Sequence, residues 1–379
     1  MPWITKLHIQ NLLSLKNIEI ELNKLNIFVG PNASGKSNII KALQLLKNHA
    51  KNGIPSLPGY ESFKDIAHNF DQTTTIHLEV EMNTDHHNIR YTLTLTADNY
   101  LEQAWIDDKE ALRSEGRAPT AQVLTQNGTT TSFYKGPQAT INFYIFPLHR
   151  SALTQLPGNA AKELHALART LRTITTHSFT PERIRARSSI KAPPTLTYHG
   201  DNLARTLLHL YLENRKAFAD IEDMLKNLIP EIQEIIPHLE DDKVEIWLRT
   251  RDLAEPLKPA NISDGTLRIL AYTTALHSNT SLAAFEEPEN CIHPHLLETL
   301  IDLARKAPCQ VIITTHSPYL LDHTQPEEVY LVQKPKTATI IKKLTKTKEL
   351  QAVKQFLEQG GTLGEAWYSG LIGGIPETP

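Results

Sequence analysis

Cysteine is nearly absent. Cys291 and Cys309 are the whole complement in 379 residues, too few for a disulfide framework or a thiolate zinc site, so both read as reduced core thiols. No apolar run approaches the roughly 18 residues that span a bilayer, and Met1 to Lys6 passes straight into a strand-like stretch with no secretory apolar region. These absences together predict a cytoplasmic protein with no membrane partner. Internal repeats and low-complexity tracts are also missing, and no run of three or four heptads appears that would build a coiled-coil rod. The formal net charge of -3 excludes no partner, because nucleic-acid binding depends on a local basic patch rather than on the total.

What is present is the composition of a packed globular chain, 40% hydrophobic and 21% charged, long enough for two or three compact units or for one discontinuous unit with an insertion. Short strands are expected at Thr5 to Ile9 and Ile18 to Glu21, then a buried strand at Leu25 to Val29, a turn, and a helix from about Lys36. That helix carries Ile39, Ile40, Leu43 and Leu46 on one face at the helical period. Alternation of apolar and polar residues over Thr75 to Met82 and Ile89 to Ala97 predicts half-buried antiparallel strands, within a meander covering Thr74 to about Ile145. The pattern then reads as helical from about Ala161 to Leu239, with breaks at Lys191 to Leu196 and before Pro230. Strand and helix alternate afterwards: helix at Thr266 to Ala275, strand at Leu282 to Phe285, helix at Pro294 to Lys306, strands at Gln310 to Thr314 and Val329 to Val332. The expected fold class is therefore α/β, a mostly parallel core sheet flanked by helices, with an antiparallel meander and an inserted, mainly helical lobe. The expected boundaries are a discontinuous core of 1–158 and 258–379 and a lobe of 159–257.

The run Gly30-Pro31-Asn32-Ala33-Ser34-Gly35-Lys36-Ser37 fits the phosphate-binding loop and stands between an expected strand and an expected helix, the context the motif requires. Glycines at 30 and 35 let the backbone turn its N–H groups inward around phosphates, and the helix start adds unpaired donors. Lys36 is suited to the β- and γ-phosphates and the Ser37 hydroxyl to Mg²⁺. Asn38, one residue further into the helix, joins the nucleotide-binding candidates. The apolar strand Leu282 to Phe285 ends in Glu286-Glu287-Pro288-Glu289, which reads as a Walker B motif with Glu286 on Mg²⁺ and Glu287 activating water. A solvated acidic turn is the alternative for these glutamates taken alone.

Two further motifs bear on that choice: Ile262-Ser263-Asp264-Gly265-Thr266 before the acidic pair and Thr314-Thr315-His316-Ser317 after it. The order of loop, long insertion, Ser-Asp-Gly turn, strand with Glu-Glu and strand ending in Thr-His-Ser resembles the ABC-type ATPases of the SMC and RecF group. Within them it is most similar to stand-alone ATPases related to OLD proteins, often placed in the AAA class of prokaryotic ATPases. The likeness spans nearly the whole chain, including Tyr198-His199-Gly200-Asp201-Asn202-Leu203, Glu287-Pro288-Glu289-Asn290-Cys291-Ile292-His293-Pro294 and Leu363-Gly364-Glu365-Ala366-Trp367-Tyr368-Ser369-Gly370. The resemblance implies that two copies close on ATP, with Ser263, Asp264 and Gly265 serving the γ-phosphate held by the other copy. It also implies that His316 is the switch histidine touching the γ-phosphate and that Glu289 to His293 form a loop near the dimer seam. Three departures stand out. Glu286 replaces the more usual Asp, Asp264 replaces a glycine of the signature turn, and Phe146 to Arg150 contains no glutamine, leaving His149 and Arg150 as the polar residues there.

Arg169, Arg172, Arg183, Arg185 and Arg187 read either as a phosphate-binding face or as a solvated helical surface. The lysines of 334–348 suit a charged hairpin edge. After His316 no Asp-x-Asp cluster appears and the chain is short for the nuclease domain that OLD proteins append, so a nuclease or toxin effector is expected as a separate chain. The function expected is an ATPase that dimerises on ATP and serves a DNA-associated process or a separate effector, with defence or DNA maintenance as the biology the resemblance implies. The alternatives are an ATP-gated scaffold with negligible turnover and the ATPase subunit of a membrane transporter. The long insertion between loop and signature turn counts against the last.

Overall fold

The computed structural model describes residues 3–84, 86–139 and 148–373. Two compact units emerge, one of Met1–Ile174, Tyr330–Thr347 and Gly373–Pro379, the other of Thr175–Val329 and Lys348–Ile372.

In the first unit β1 (Trp3–Leu12) and β2 (Leu15–Glu21) form a hairpin, and β3 (Leu25–Val29) leads through the glycine-rich turn into α1 (Lys36–Asn52). All five residues of β3 are buried, as a strand covered on both faces must be. The helix buries Ile39, Ile40, Leu43 and Leu46 and stops at Gly53, whose φ of 90° is the left-handed cap that a side chain would resist. Each such buried aliphatic side chain contributes about 1.5–3 kcal/mol. The meander follows as β4 (Ile76–Asn83), β5 (Asn88–Leu95), β6 (Tyr100–Ile106), β7 (Lys109–Glu115), β8 (Thr120–Leu124) and β9 (Thr130–Tyr134). It is larger than the sequence indicated, because β1 pairs with β4 and brings β2 with it into one eight-stranded sheet. The alternation in β4 was decisive: Ile76, Leu78, Val80 and Met82 are wholly buried, and a one-residue slip against β1 would expose all four. The expected end of the meander at residues 140–145 lies outside the described residues. A second hairpin, Val329–Gln333 with Ile340–Lys343, sets its first strand beside β3.

The second unit carries a parallel sheet of β10 (Thr175–His177), β11 (Leu282–Glu286) and β12 (Gln310–Thr315), with β11 in the middle. Helices Asp264–Leu276 and Leu297–Lys306 belong to the same unit. Helices Leu203–Glu213 and Arg215–Leu228 come from the expected helical stretch, but that stretch is interrupted by the strands Thr175–His177 and Ser188–Ser189 and ends at Leu228. Ile232–Glu240 and Lys243–Thr250 form an antiparallel hairpin instead. The physical reason is local: Pro237 cannot sit inside a helix, the turn at Asp241 takes a φ of 54°, and the inward residues Val244, Ile246 and Leu248 alternate at the strand period. The expectation of two core thiols also needs correction, since Cys309 is buried but Cys291 is exposed. Among the described residues no helix is long and apolar enough to cross a membrane.

Candidate nucleotide site

The glycine-rich turn is shaped by contacts that forbid side chains. An ideal Cβ on Gly30 would stand 2.1 Å from the Val332 carbonyl oxygen, and one on Gly35, at φ 101°, would stand 2.1 Å from the Thr339 hydroxyl. The turn is clamped from behind by a small polar network. Thr339 Oγ1 donates to the Ser34 carbonyl (2.9 Å) and accepts from Ser14 Oγ at 2.6 Å, which in turn accepts from Asn38 Nδ2 at 2.7 Å. Ser14 and Thr339 were not singled out by sequence, and Asn38 turns out to brace the turn. Lys36, only 6% exposed, folds its ammonium over the turn and donates to the carbonyls of Gly30 (2.7 Å) and Pro31 (2.9 Å). Asn32 and Ala33 at the tip are exposed, and Ala33 takes a left-handed φ of 61°. Ser34 Oγ is buried without a hydrogen-bond partner. A wrapped backbone, a cation held at its mouth and an unpaired buried hydroxyl fit a polyphosphate.

The second unit gathers the acidic residues. Register Glu286↔Thr314 in the parallel pair puts Glu287 and His316, one and two residues past the paired ends, beside each other. His316 Nδ1 and Glu287 Oε1 lie 2.9 Å apart, and Asn290 Nδ2 donates to the other oxygen at 3.1 Å. Glu287 adopts a φ of 45°, a conformation that costs a non-glycine residue about 1–3 kcal/mol and clusters at functional sites. Its backbone N–H still continues the ladder to the Thr314 carbonyl at 2.9 Å. Tyr198, from the Tyr-His-Gly-Asp-Asn motif, donates its hydroxyl to Glu286 Oε1 at 2.6 Å. Burial and the neighbouring carboxylate raise the Tyr198 phenol, so it stays a donor.

Glu289 has a different fate from its neighbours. It is 7% exposed, Thr315 donates to one oxygen and the other has no partner. Burial pushes its carboxyl up to about 7. Between the unfolded value of 4.5 and about 7 the folded chain keeps a proton that the unfolded chain has lost. The stability from this group is therefore complete below pH 4.5 and is lost as pH rises through 7. Glu289→Gln is accordingly expected to gain stability over the native chain between pH 5 and pH 8, by on the order of 2–3 kcal/mol. Urea unfolding at the two pH values checks it. A difference that does not change with pH would rule the buried proton out.

Ser263 caps the helix Asp264–Leu276, accepting from the Thr266 N–H at 3.1 Å. It is exposed, and an ideal Cβ on Gly265 would stand 2.6 Å from the Cys291 carbonyl oxygen, so this turn abuts the segment following Glu289. Arg185 pins it: the guanidinium donates to the Ile262 carbonyl (2.8 Å), to the Pro259 carbonyl (3.2 Å) and to the Asp264 carboxylate. Arg187 pairs with Glu240 and Glu245, and Arg172 donates to the Ala50 and Leu153 carbonyls. Three of the five arginines expected as a phosphate face or a solvated surface are thus engaged within the chain. His149 is likewise engaged, its Nδ1 lying 2.9 Å from the Gly136 carbonyl oxygen. Phe146 and Pro147 lie outside the described residues.

A family model described as "AAA domain, putative AbiEii toxin, Type IV TA system" matches residues 25–152 and 156–322, a span that includes the turn, both acidic residues and His316. The chain belongs to this family. It is 23% identical over 358 residues to an OLD nuclease of Thermus scotoductus, covering 89% of this chain and 63% of the relative, so the chain spans under two thirds of that protein. Among solved structures it is similar to an SMC head bound to the C-terminal winged-helix domain of ScpA, with a TM-score of 0.56 and 14% identity, over 92% of this chain and 99% of that one. A second SMC head, with an extended coiled coil and bound to the C-terminal domain of ScpA derived from Pyrococcus furiosus, gives 0.55 and 13% over 95% and 99%. The fold is that of the P-loop, ABC-type ATPases of the SMC and OLD group, with its parallel and antiparallel sheets and flanking helices.

Proposed function

We propose that the chain is a Mg²⁺-dependent ATPase that dimerises on ATP and uses hydrolysis to gate a DNA-associated process or a separate effector. The observation that carries this reading is the Glu287–His316 pair, a carboxylate held by two side-chain partners at the mouth of a parallel sheet. Such a carboxylate is oriented to take a proton from an attacking water.

Lys36 would bind the β- and γ-phosphate oxygens in place of the two carbonyls it now engages, and Gly30 to Asn38 would supply backbone donors and the frame around them. Ser37 and Glu286 would hold Mg²⁺, with Tyr198 fixing the orientation of the glutamate. Mg²⁺, when bound, neutralises charge on the phosphate oxygens. Glu287 would accept the proton of the attacking water, while His316 holds that carboxylate and senses the γ-phosphate. Ser263, Asp264 and Gly265 would serve the nucleotide of a second copy, for which an exposed cap at a helix start is suited. We place the action in the cytoplasm and read 1–158 with 258–379 as the ATPase core and 159–257 as an inserted lobe that adapts it to its effector. The toxin in the family description and the nuclease in the name of the relative support defence as the setting.

Phosphate release by the purified chain, with and without Mg²⁺ and duplex DNA and against Lys36→Ala, tests the reading. Release that needs both Lys36 and Mg²⁺ is expected. ATP binding without release would leave the ATP-gated scaffold, and neither binding nor release would end both.

A further inference from the structure

A cavity of about 470 Å³ opens on the outer face of the hairpin Ile232–Glu240 and Lys243–Thr250, walled by Arg185, Arg187, His238, Trp247 and Lys258. We propose that it binds one nucleotide unit, an aromatic base carrying phosphate, at a site separate from the glycine-rich turn.

Its size falls in the lower part of the range for small-molecule sites, about 300–1,000 Å³. The surface has two kinds of recognition chemistry. His238 stacks on Trp247 with ring centroids 3.7 Å apart and planes within 15°, a π stack that a base can extend. Lys258 rests its ammonium over the same indole, 5.2 Å from the centroid, and among the described residues it forms no ion pair. The two wall carboxylates are both committed: Glu240 and Glu245 pair with Arg187, at 2.9 and 2.5 Å, and Glu245 also accepts from Trp247 Nε1 at 3.0 Å. A phosphate can therefore draw on the charge of Lys258 and Arg187, while the lone pairs that the two carboxylates do not spend on Arg187 and Trp247 can accept from base amino or ribose hydroxyl groups. Bare phosphate would leave the stack unused, and an uncharged ring would leave the cations unused.

The cavity also adjoins the Ser-Asp-Gly turn. Lys258, Pro259 and Ala260 form part of its wall, and Arg185, which lines it, is the residue that holds Pro259, Ile262 and Asp264. An occupant that draws Arg185 toward its phosphate loosens that anchor. This regulatory consequence rests on the ATPase reading above, whereas binding itself does not.

The test uses the full chain carrying Lys36→Ala, which silences the glycine-rich turn. It is titrated by equilibrium dialysis with AMP, with a 5′-phosphorylated hexathymidylate and with inorganic phosphate. Saturable binding of AMP or of the oligonucleotide is expected, weakened at least tenfold by Lys258→Glu, an exposed change that leaves the core intact, and by Trp247→Leu. Tighter AMP binding identifies a free nucleotide as the source, and tighter oligonucleotide binding identifies a strand end. No binding of either, binding indifferent to both substitutions, or phosphate binding as tight as AMP overturns the proposal. If nucleotide binds here in a Lys258-dependent way while the native chain releases no phosphate from ATP, the cavity stands and the hydrolysis reading falls.

Discussion

Glu287→Gln is expected to slow ATP turnover by about 10² to 10⁴, the usual worth of a general base, while leaving ATP binding close to native. The amide keeps the size of the side chain and can still bond His316 or Asn290, which now lie at 2.9 and 3.1 Å, but it cannot accept the proton of water. If hydrolysis is what opens the two-copy state, the variant accumulates it, and its solution mass doubles with Mg-ATP but not with Lys36→Ala added. Native turnover in Glu287→Gln would remove the residue from catalysis. Slow turnover without a change of mass would keep the base and discard the shared-site role of Ser263 and Gly265.

Gly35→Ala should abolish tight nucleotide binding, by about 10²-fold or more, and should destabilise the fold by on the order of 2–4 kcal/mol. Two costs add. At φ 101° an L-residue is strained, for about 1–3 kcal/mol, and the new methyl would stand 2.1 Å from the Thr339 hydroxyl. That hydroxyl cannot retreat without giving up its bonds to the Ser34 carbonyl and to Ser14. Thr339→Ala in the same chain removes the nearest of the contacts but leaves the strain and Ser14 Oγ at 2.7 Å, and it gives up the bonds to Ser34 and Ser14, so the double variant should lose less stability than the two single changes summed. ATP binding and urea unfolding of the single and double variants decide it. If the two losses simply add, the collision with Thr339 is not what makes glycine necessary there.

The features legible in the sequence share one property, that the residues concerned are near one another along the chain. The glycine-rich turn could be read because strand, turn and helix are consecutive and each is set by local rules: a buried apolar run, glycine where a side chain is forbidden, and a helical apolar stripe. The meander was legible for the same reason, its alternation being local, although its enlargement by β1 and β2 was not. The hairpin at Ile232–Glu240 is not legible from the apolar run that continues the helix before it, because its pairing with Lys243–Thr250 is a tertiary fact, although Pro237 argues against a helix there. The arginines of the insertion looked available because their partners, Asp264, Glu240 and the Pro259 and Ile262 carbonyls, lie 53 to 79 residues away from the arginines that find them.

The sequence by itself thus determined the glycine-rich turn between strand and helix, the acidic end of β11, and the helix start with a serine cap. Tertiary structure alone decided which side chains hold these groups in place: Thr339 and Ser14 behind the turn, Tyr198 on Glu286, His316 on Glu287, Arg185 on the Ser-Asp-Gly turn. Tyr198 is 88 residues from Glu286, and Thr339 is 305 from Ser34. A polar group withdrawn from water must find a partner wherever packing supplies one, and parallel strands with long crossovers supply it from distant sequence. Spacing along the chain does not encode that choice, because it is made by the packing of elements that are distant in sequence.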